Sequence, residues 1–220
     1  MTALRHRATV IDAGVGNLAN LARALAAVGA EAEVTEDPRR VERARCLLLP
    51  GVGAFAPPRE RLASSGLEAA LRAAVDAGAA LLGVCVGYQL LFEESEEFGA
   101  TEGLGLLPGR VTRLPDGVPR PHIGWNRLHD LADHPLLAAL PRDPAGPYVY
   151  FVHGYAPDGL PAETALARAT HGRAFPAVAG RGRVLGTQFH PEKSGTVGLR
   201  LLANFLELAA HGGPAEAPWS

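Results

Sequence analysis

Lysine is almost absent from this chain: of 21 basic residues only Lys193 is one, and the rest are arginine. Cysteine is nearly as scarce, with Cys46 and Cys85 alone. That excludes a disulfide scaffold and fits a reducing cytoplasm, where a thiol can serve as a thiolate. No apolar run approaches the length that crosses a bilayer. The opening residues Met1-Thr2-Ala3-Leu4-Arg5-His6-Arg7 lack a secretory apolar segment. Formal net charge is −2, so nothing calls for nucleic acid or an anionic membrane as a partner. Alanine, arginine and proline are used freely, as in GC-rich genomes. The 220 residues suffice for one compact domain with a sizeable core.

Hydrophobic periodicity gives the first half a β-α-β order. Residues 8–11 read as a strand. Asn17 suits the N-cap of a helix over 18–28, in which Leu18, Leu21, Leu25 and Val28 share a face, and Gly29 suits its stop. Residues 32–35 and 45–49 read as the next strands, and 67–77 as a helix ending at Gly78. After Gly103 the runs shorten into β segments over 109–114, 123–128, 148–155, 164–169, 177–181 and 183–189, before a last helix over 197–210. The expectation is a single-domain α/β fold over 1–210: a mostly parallel, doubly wound sheet with helices on both faces and antiparallel additions in the C-terminal half. Residues 211–220 read as a frayed tail.

Two segments about a hundred residues apart carry chemistry. Gly83-Val84-Cys85-Val86-Gly87-Tyr88-Gln89 follows the apolar run 79–82 and leads into the helical pattern 89–92. Glycines on both sides of a cysteine permit a sharp strand-to-helix turn, as at serine nucleophile elbows. Amides at a helix start there favour thiolate over thiol. Gly186-Thr187-Gln188-Phe189-His190-Pro191-Glu192-Lys193 places a histidine at the end of a strand with a carboxylate two residues on. In extended chain i and i+2 face the same side, so Glu192 can reach the imidazole of His190. Cysteine, histidine and carboxylate are the parts for thiol acyl transfer. Cys46 opens Cys46-Leu47-Leu48-Leu49 with no such turn and reads as core.

Gly-x-Cys-x-Gly-x-Gln followed much later by His-Pro-Glu resembles the class I (triad) glutamine amidotransferases. That resemblance implies Cys85 as nucleophile, His190 as general base and acid, and Glu192 as the group that orients His190. Leu49-Pro50-Gly51-Val52-Gly53 matches the family's strand and loop that offer backbone N–H groups to an oxyanion. Gly51, Val52 and Gly53 are thereby implicated, with the amide of Val86 as second donor. Gln89, Gly154 and Tyr155 are implicated at the glutamine site. No cofactor and no metal is implied.

Ile11 to Asn17, Pro121-His122-Ile123-Gly124-Trp125-Asn126 and Tyr150-Phe151-Val152-His153-Gly154-Tyr155 narrow the resemblance to the glutaminase subunits of imidazole glycerol phosphate synthase. The partner so implied is a (β/α)₈-barrel cyclase, bound as a heterodimer, because 220 residues leave no room for a synthase half. Asn17, Trp125 and Lys193 are the candidate contacts with it. Ala13, where the family usually has an aromatic, and Gly154, where it usually has serine or threonine, depart from the pattern. A glutaminase of anthranilate or pyridoxal phosphate type, and a catalytically silent regulatory subunit, remain as alternatives.

Other features read as structural. His122, His153 and His171 are too scattered in sequence for a metal set and read as neutral structural histidines. Glu93, Glu94, Glu96 and Glu97 read as a solvated acidic helix end. Gly14-x-Gly16 lacks the third glycine of a dinucleotide loop.

Overall fold

The computed structural model describes residues 6–142 and 146–211; apart from His211, the tail expected over 211–220 lies outside them. The chain opens with β1 (His6–Ile11), α1 (Leu18–Ala27), β2 (Ala30–Thr35), α2 (Pro38–Arg43), β3 (Cys46–Gly51), α3 (Ala56–Ser65), α4 (Leu67–Asp76), β4 (Ala80–Cys85) and the single turn α5 (Val86–Gln89). All six residues of β3 and of β4 are buried. Strands covered on both faces read as continuous apolar runs, which is how both are written.

Two helices of this half went unread in the sequence. In α2 only Val41 is buried, so no apolar period marks it. Its signal is local instead: the Asp37 carboxylate accepts from the Arg39 N–H at 2.9 Å, with Pro38 in the first turn. α3 buries only Pro58 and Leu62. Asn17 precedes α1 as expected, but its side chain makes no capping bond.

The second half adds β5 (Glu94–Ser95), β6 (Thr101–Glu102), β7 (Arg110–Arg113), β8 (His122–Arg127), β9 (Tyr148–His153), β10 (Tyr155–Asp158), β11 (Ala165–His171), β12 (Arg173–Arg181), β13 (Val184–Thr187) and α6 (Gly195–Ala210). The main sheet runs β11-β12-β13-β4-β3-β1-β2. Its last five strands are parallel, while β11 and β12 extend it antiparallel. The antiparallel expectation is therefore met by two strands only. β10-β7-β5-β6 and β8-β9 form separate small sheets. α1 packs with α6, and α2 and α3 pack with α4, so the sheet carries helices on both faces. The acidic stretch is not a helix end: α5 stops at Gln89, and Glu93, Glu96 and Glu97 accept from the N–H groups of Gly109, Arg113 and Phe55.

Parallel pairing aligns the strand ends that matter. Gly51 lies opposite Cys85, and Thr187 opposite Val84. The loops after β1, β3, β4 and β13 thus open on one edge of the sheet, where ligand sites of open α/β folds gather. The turn beneath that edge is packed to contact. A Cβ on Gly87 would lie 1.7 Å from the Leu49 carbonyl oxygen; one on Gly51 would meet Gly87 and Val86 at 2.8 and 2.9 Å; one on Gly186 would lie 2.0 Å from the Tyr88 ring.

These distances separate glycines that must stay from those that need not. Gly87→Ala is expected to destabilise the fold by about 3 kcal/mol. Gly154→Ala, with open space around its Cβ and no positive φ, should change stability by less than about 0.5 kcal/mol. Urea unfolding of the two variants measures both, and similar midpoints would contradict the packing described.

Candidate active site

Cys85 is the last residue of β4 and adopts φ 56°, ψ −111°, a backbone state that costs a non-glycine residue about 1–3 kcal/mol. The sequence pattern suggested that the flanking glycines would take the unusual angles. Instead the cysteine takes them, and Gly83 and Gly87 serve close approach: a Cβ on Gly83 would meet the Gly87 carbonyl oxygen and the Tyr88 backbone at 2.7 Å. Tyr88 is fully buried, with its hydroxyl donating to the Pro176 carbonyl at 3.3 Å. The elbow is thereby locked from below, and the thiol points over the sheet edge.

His190 follows β13. Its main chain is held by β9 and by Ser194, the residue before α6: its N–H donates to the Tyr150 carbonyl at 3.0 Å. Ser194 Oγ donates to the His190 carbonyl at 2.6 Å and accepts from the Tyr150 N–H at 3.0 Å. Ser194 is buried, and nothing in its sequence context marked it. The imidazole Nδ1 lies 2.9 Å from Glu192 Oε1, with both side chains buried, as the i, i+2 spacing required. Nε2 of His190 and Oε2 of Glu192 are buried without a hydrogen bond among the described residues.

Burial disfavours the His190 cation. Cys85 and Glu192 outweigh it, by hydrogen bonding and by charge, and push the imidazole up to about 10. Nε2 itself has no aligned hydrogen bond to the sulfur among the described residues. Such contacts are commonly loose before substrate enters. The thiol approaches the Val152 carbonyl at 3.8 Å, and Gln188 Nε2 approaches the sulfur at 4.0 Å.

Above Cys85 lies a cavity of about 240 Å³. Val52, Gly53, Val86, Gln89, Gly154, Tyr155, His190 and Lys193 line it with Cys85, all singled out in the sequence. Gly51 does not reach the cavity; it lies beneath, against Val86 and Gly87. Glu192 stands behind His190. Gln89 is buried and donates from Nε2 to the Tyr155 carbonyl at 2.9 Å and to Gln188 Oε1 at 3.2 Å.

Glu97, Val152 and His153 also line the cavity and were not singled out as site residues. Burial raises the Glu97 carboxyl, and its hydrogen bond from the Phe55 N–H partly offsets this. One signal was available for Glu97: it sits in a run of four acids too dense for a helix end. His153 had none, because its surroundings come from distant segments.

Trp125 is 56 % exposed, so it is not a core tryptophan. Its ring packs edge-on against Tyr150 at 6.1 Å, and Lys193 Nζ lies 5.7 Å from the same ring. Two of the three candidate partner contacts thus share one rim beside the cavity. Asn17 stands apart at the start of α1, which packs on the turn Pro191–Lys193. Among the described residues no three His, Cys, Asp or Glu side chains are placed to hold a metal ion, and no helix is long and apolar enough to cross a membrane.

A parallel sheet with a cysteine elbow, and a histidine–carboxylate pair beside it, defines a class of thiol-dependent transferases and hydrolases. The chain belongs to the family described as glutamine amidotransferase class-I, whose model matches residues 9–209. It is 53 % identical over 200 residues to the imidazole glycerol phosphate synthase subunit HisH of Symbiobacterium thermophilum, covering 90 % of this chain and 92 % of that protein. It is 48 % identical over 202 residues to the HisH subunit of Bacillus licheniformis, covering 89 % and 93 %. A crystal structure of a glutamine amidotransferase superposes with a TM-score of 0.73 at 26 % identity, covering 93 % of this chain and 99 % of that one.

The buried pair makes a pH-dependent prediction. A raised imidazole contributes stability that is complete below about 6.5, the ordinary histidine value, and is lost as pH rises through about 10. In Glu192→Gln the His190 midpoint should fall toward the ordinary range, read by NMR titration of the labelled imidazole. An unmoved midpoint would show that the carboxylate does not hold the proton.

Proposed function

We propose that this chain is the glutaminase subunit of an imidazole glycerol phosphate synthase. The observation that carries the reading is Cys85 at a strained elbow, facing a His190 paired at 2.9 Å with Glu192, on a chain nearly half or more identical to HisH subunits along most of its length.

In this reading glutamine lies in the cavity with its side-chain amide over Cys85. The Glu97 carboxylate suits the substrate ammonium. The sulfur attacks the amide carbon, and the oxyanion that forms takes hydrogen bonds from backbone N–H groups of the 51–53 loop and of Val86, such donors being worth about 3–4 kcal/mol each. His190 gives its proton to the departing nitrogen, ammonia leaves, and a thioester joins Cys85 to the glutamyl group. His190, now neutral, takes a proton from water, whose oxygen attacks the thioester and releases glutamate. Glu192 holds the imidazole in place for both transfers.

Ammonia then passes to a (β/α)₈-barrel cyclase bound as a heterodimer. The exposed rim of Ile123, Trp125 and Tyr148 beside the cavity supports a docking face there, aromatic residues being favoured at interface centres. A cytoplasmic setting agrees with two free cysteines. The open space at Gly154 means that no side chain contacts the substrate there. The anthranilate, pyridoxal phosphate and silent-subunit alternatives gain no particular observation.

Cys85→Ala should lower glutamine-dependent synthesis by about 10⁴-fold or more, with His190→Ala nearly as damaging and Glu192→Ala milder. With free ammonia supplied, synthesis by the assembled complex should survive Cys85→Ala. Equal loss of both activities in a folded complex would count against the division of labour. Trp125→Ala should weaken binding of the cyclase about tenfold or more, and Lys193→Ala should weaken binding or the coupled rate. Calorimetric titration, with circular dichroism as folding control, tests both; unchanged affinity and rate would move the docking face elsewhere.

A further inference from the structure

His122, His153 and His171, distant in sequence, meet in the structure. The His122 ring stacks on His171 at 4.1 Å and on Phe151 at 4.9 Å. His122 Nδ1 lies 3.0 Å from His153 Nε2, and both side chains are buried. The hydrogen bonds fix where every proton sits. His153 Nδ1 lies 2.8 Å from the Tyr155 carbonyl oxygen, which can only accept, so Nδ1 carries the hydrogen. In a neutral ring Nε2 is then a bare lone pair, and His122 Nδ1–H must donate to it. His122 Nε2 is bare in turn and accepts from Asn126 Nδ2 at 3.2 Å. The amide of Asn126 cannot be reversed without loss, because its oxygen accepts from the Arg127 N–H and its nitrogen also donates to the Thr170 carbonyl.

The result is a one-way chain: Asn126 to His122 to His153 to the Tyr155 carbonyl. Both rings must be neutral, since a second proton on His153 would set two N–H groups against each other at 3.0 Å. Burial acts in the same direction, pulling His122 down to about 4 and His153 to about 3, with neighbouring histidines adding to it and the Tyr155 hydrogen bond opposing at His153. The Tyr155 oxygen at the end of the chain also accepts from Gln89 Nε2, and His153, Tyr155 and Gln89 all line the cavity over Cys85.

We propose that His153 is a positioning residue for glutamine hydrolysis, held in its Nδ1–H tautomer by His122 and Asn126, and that this chain fixes the Tyr155 carbonyl and through it the Gln89 amide in the pocket wall. The proposal rests on the glutaminase reading. It makes the β8 strand, which carries Trp125 on its exposed side, a structural contributor to the substrate pocket.

Two readouts test it. Long-range ¹H–¹⁵N spectra of the full chain with labelled histidine should show His122 and His153 both as Nδ1–H tautomers. Kinetics of the complex with the cyclase should then separate tautomer control from packing. His122→Phe keeps the stacked ring but loses the donor, and should raise KM for glutamine about tenfold with kcat changed less than about twofold. His122→Asn loses the stack but keeps a donor near Nδ1, and should raise KM less than about threefold. Asn126→Leu, which removes the far donor at His122 Nε2 without adding a charge or altering either ring, should also raise KM and serves if His122→Phe does not fold. A packing role would reverse the order, with Phe tolerated and Asn damaging, and would overturn the proposal; so would an Nε2–H tautomer at His153. No glutamine turnover by the unaltered complex would overturn the glutaminase reading and this proposal with it, whereas turnover with the wrong tautomer overturns the proposal alone.

Discussion

The approach of the β3 backbone to the turn after Cys85 is the constraint on which the site depends. The Leu49 carbonyl sits where a side chain at position 87 would be, and Gly51 presses on Val86 and Gly87. With no room below, the chain leaving β4 must turn at once, and Cys85 absorbs the turn in its own backbone. The same contact sets the loop after β3 beside the cysteine, so the 51–53 backbone and Cys85 are positioned by one packing event. Relaxing it would cost both, which is why a strained cysteine backbone can persist there.

The second half of the site depends on charge. His190 and Glu192 are nearly shut off from water, where an unpaired ion would be costly. Each supplies the other's partner, and Cys85 lies beside them in the cavity wall. The main chain around them is pinned by Ser194 between the Tyr150 N–H and the His190 carbonyl. β9, strung between that clamp and His153, therefore belongs to the pocket as much as to its own small sheet.

What could be read in the sequence was what is encoded locally. Cys85, His190 and Glu192 stand in short motifs whose spacing is itself the geometry, and the parallel order of β1, β3 and β4 follows from continuous apolar runs separated by helical patterns. α2 and α3 escaped because each buries one or two side chains, too few to make a period; the Asp37-Pro38 cap was the only sign of the first. Most of the short strands were read at least in part, but β5 and β6, two residues each, were not, β10 was not separated from β9, and the grouping into separate sheets was not read, since hydrophobic alternation does not name a partner strand. The histidines at 122, 153 and 171 read as scattered because contact order is invisible to a linear scan. Gln188 lay within a motif already quoted and still passed unnoticed beside its histidine.

The Tyr88 ring lies where any side chain on Gly186 would have to go. Position 88 belongs to the segment that carries Cys85 and position 186 to the one that carries His190, so the two stretches are sterically complementary. In an evolving lineage neither can drift in size alone: enlarging 186 needs a prior reduction at 88, and that reduction opens a void under the elbow. The segments thus form a single unit of inheritance, and exchanging one of them between distant homologues, as in chimera construction, would join surfaces that were never fitted to each other.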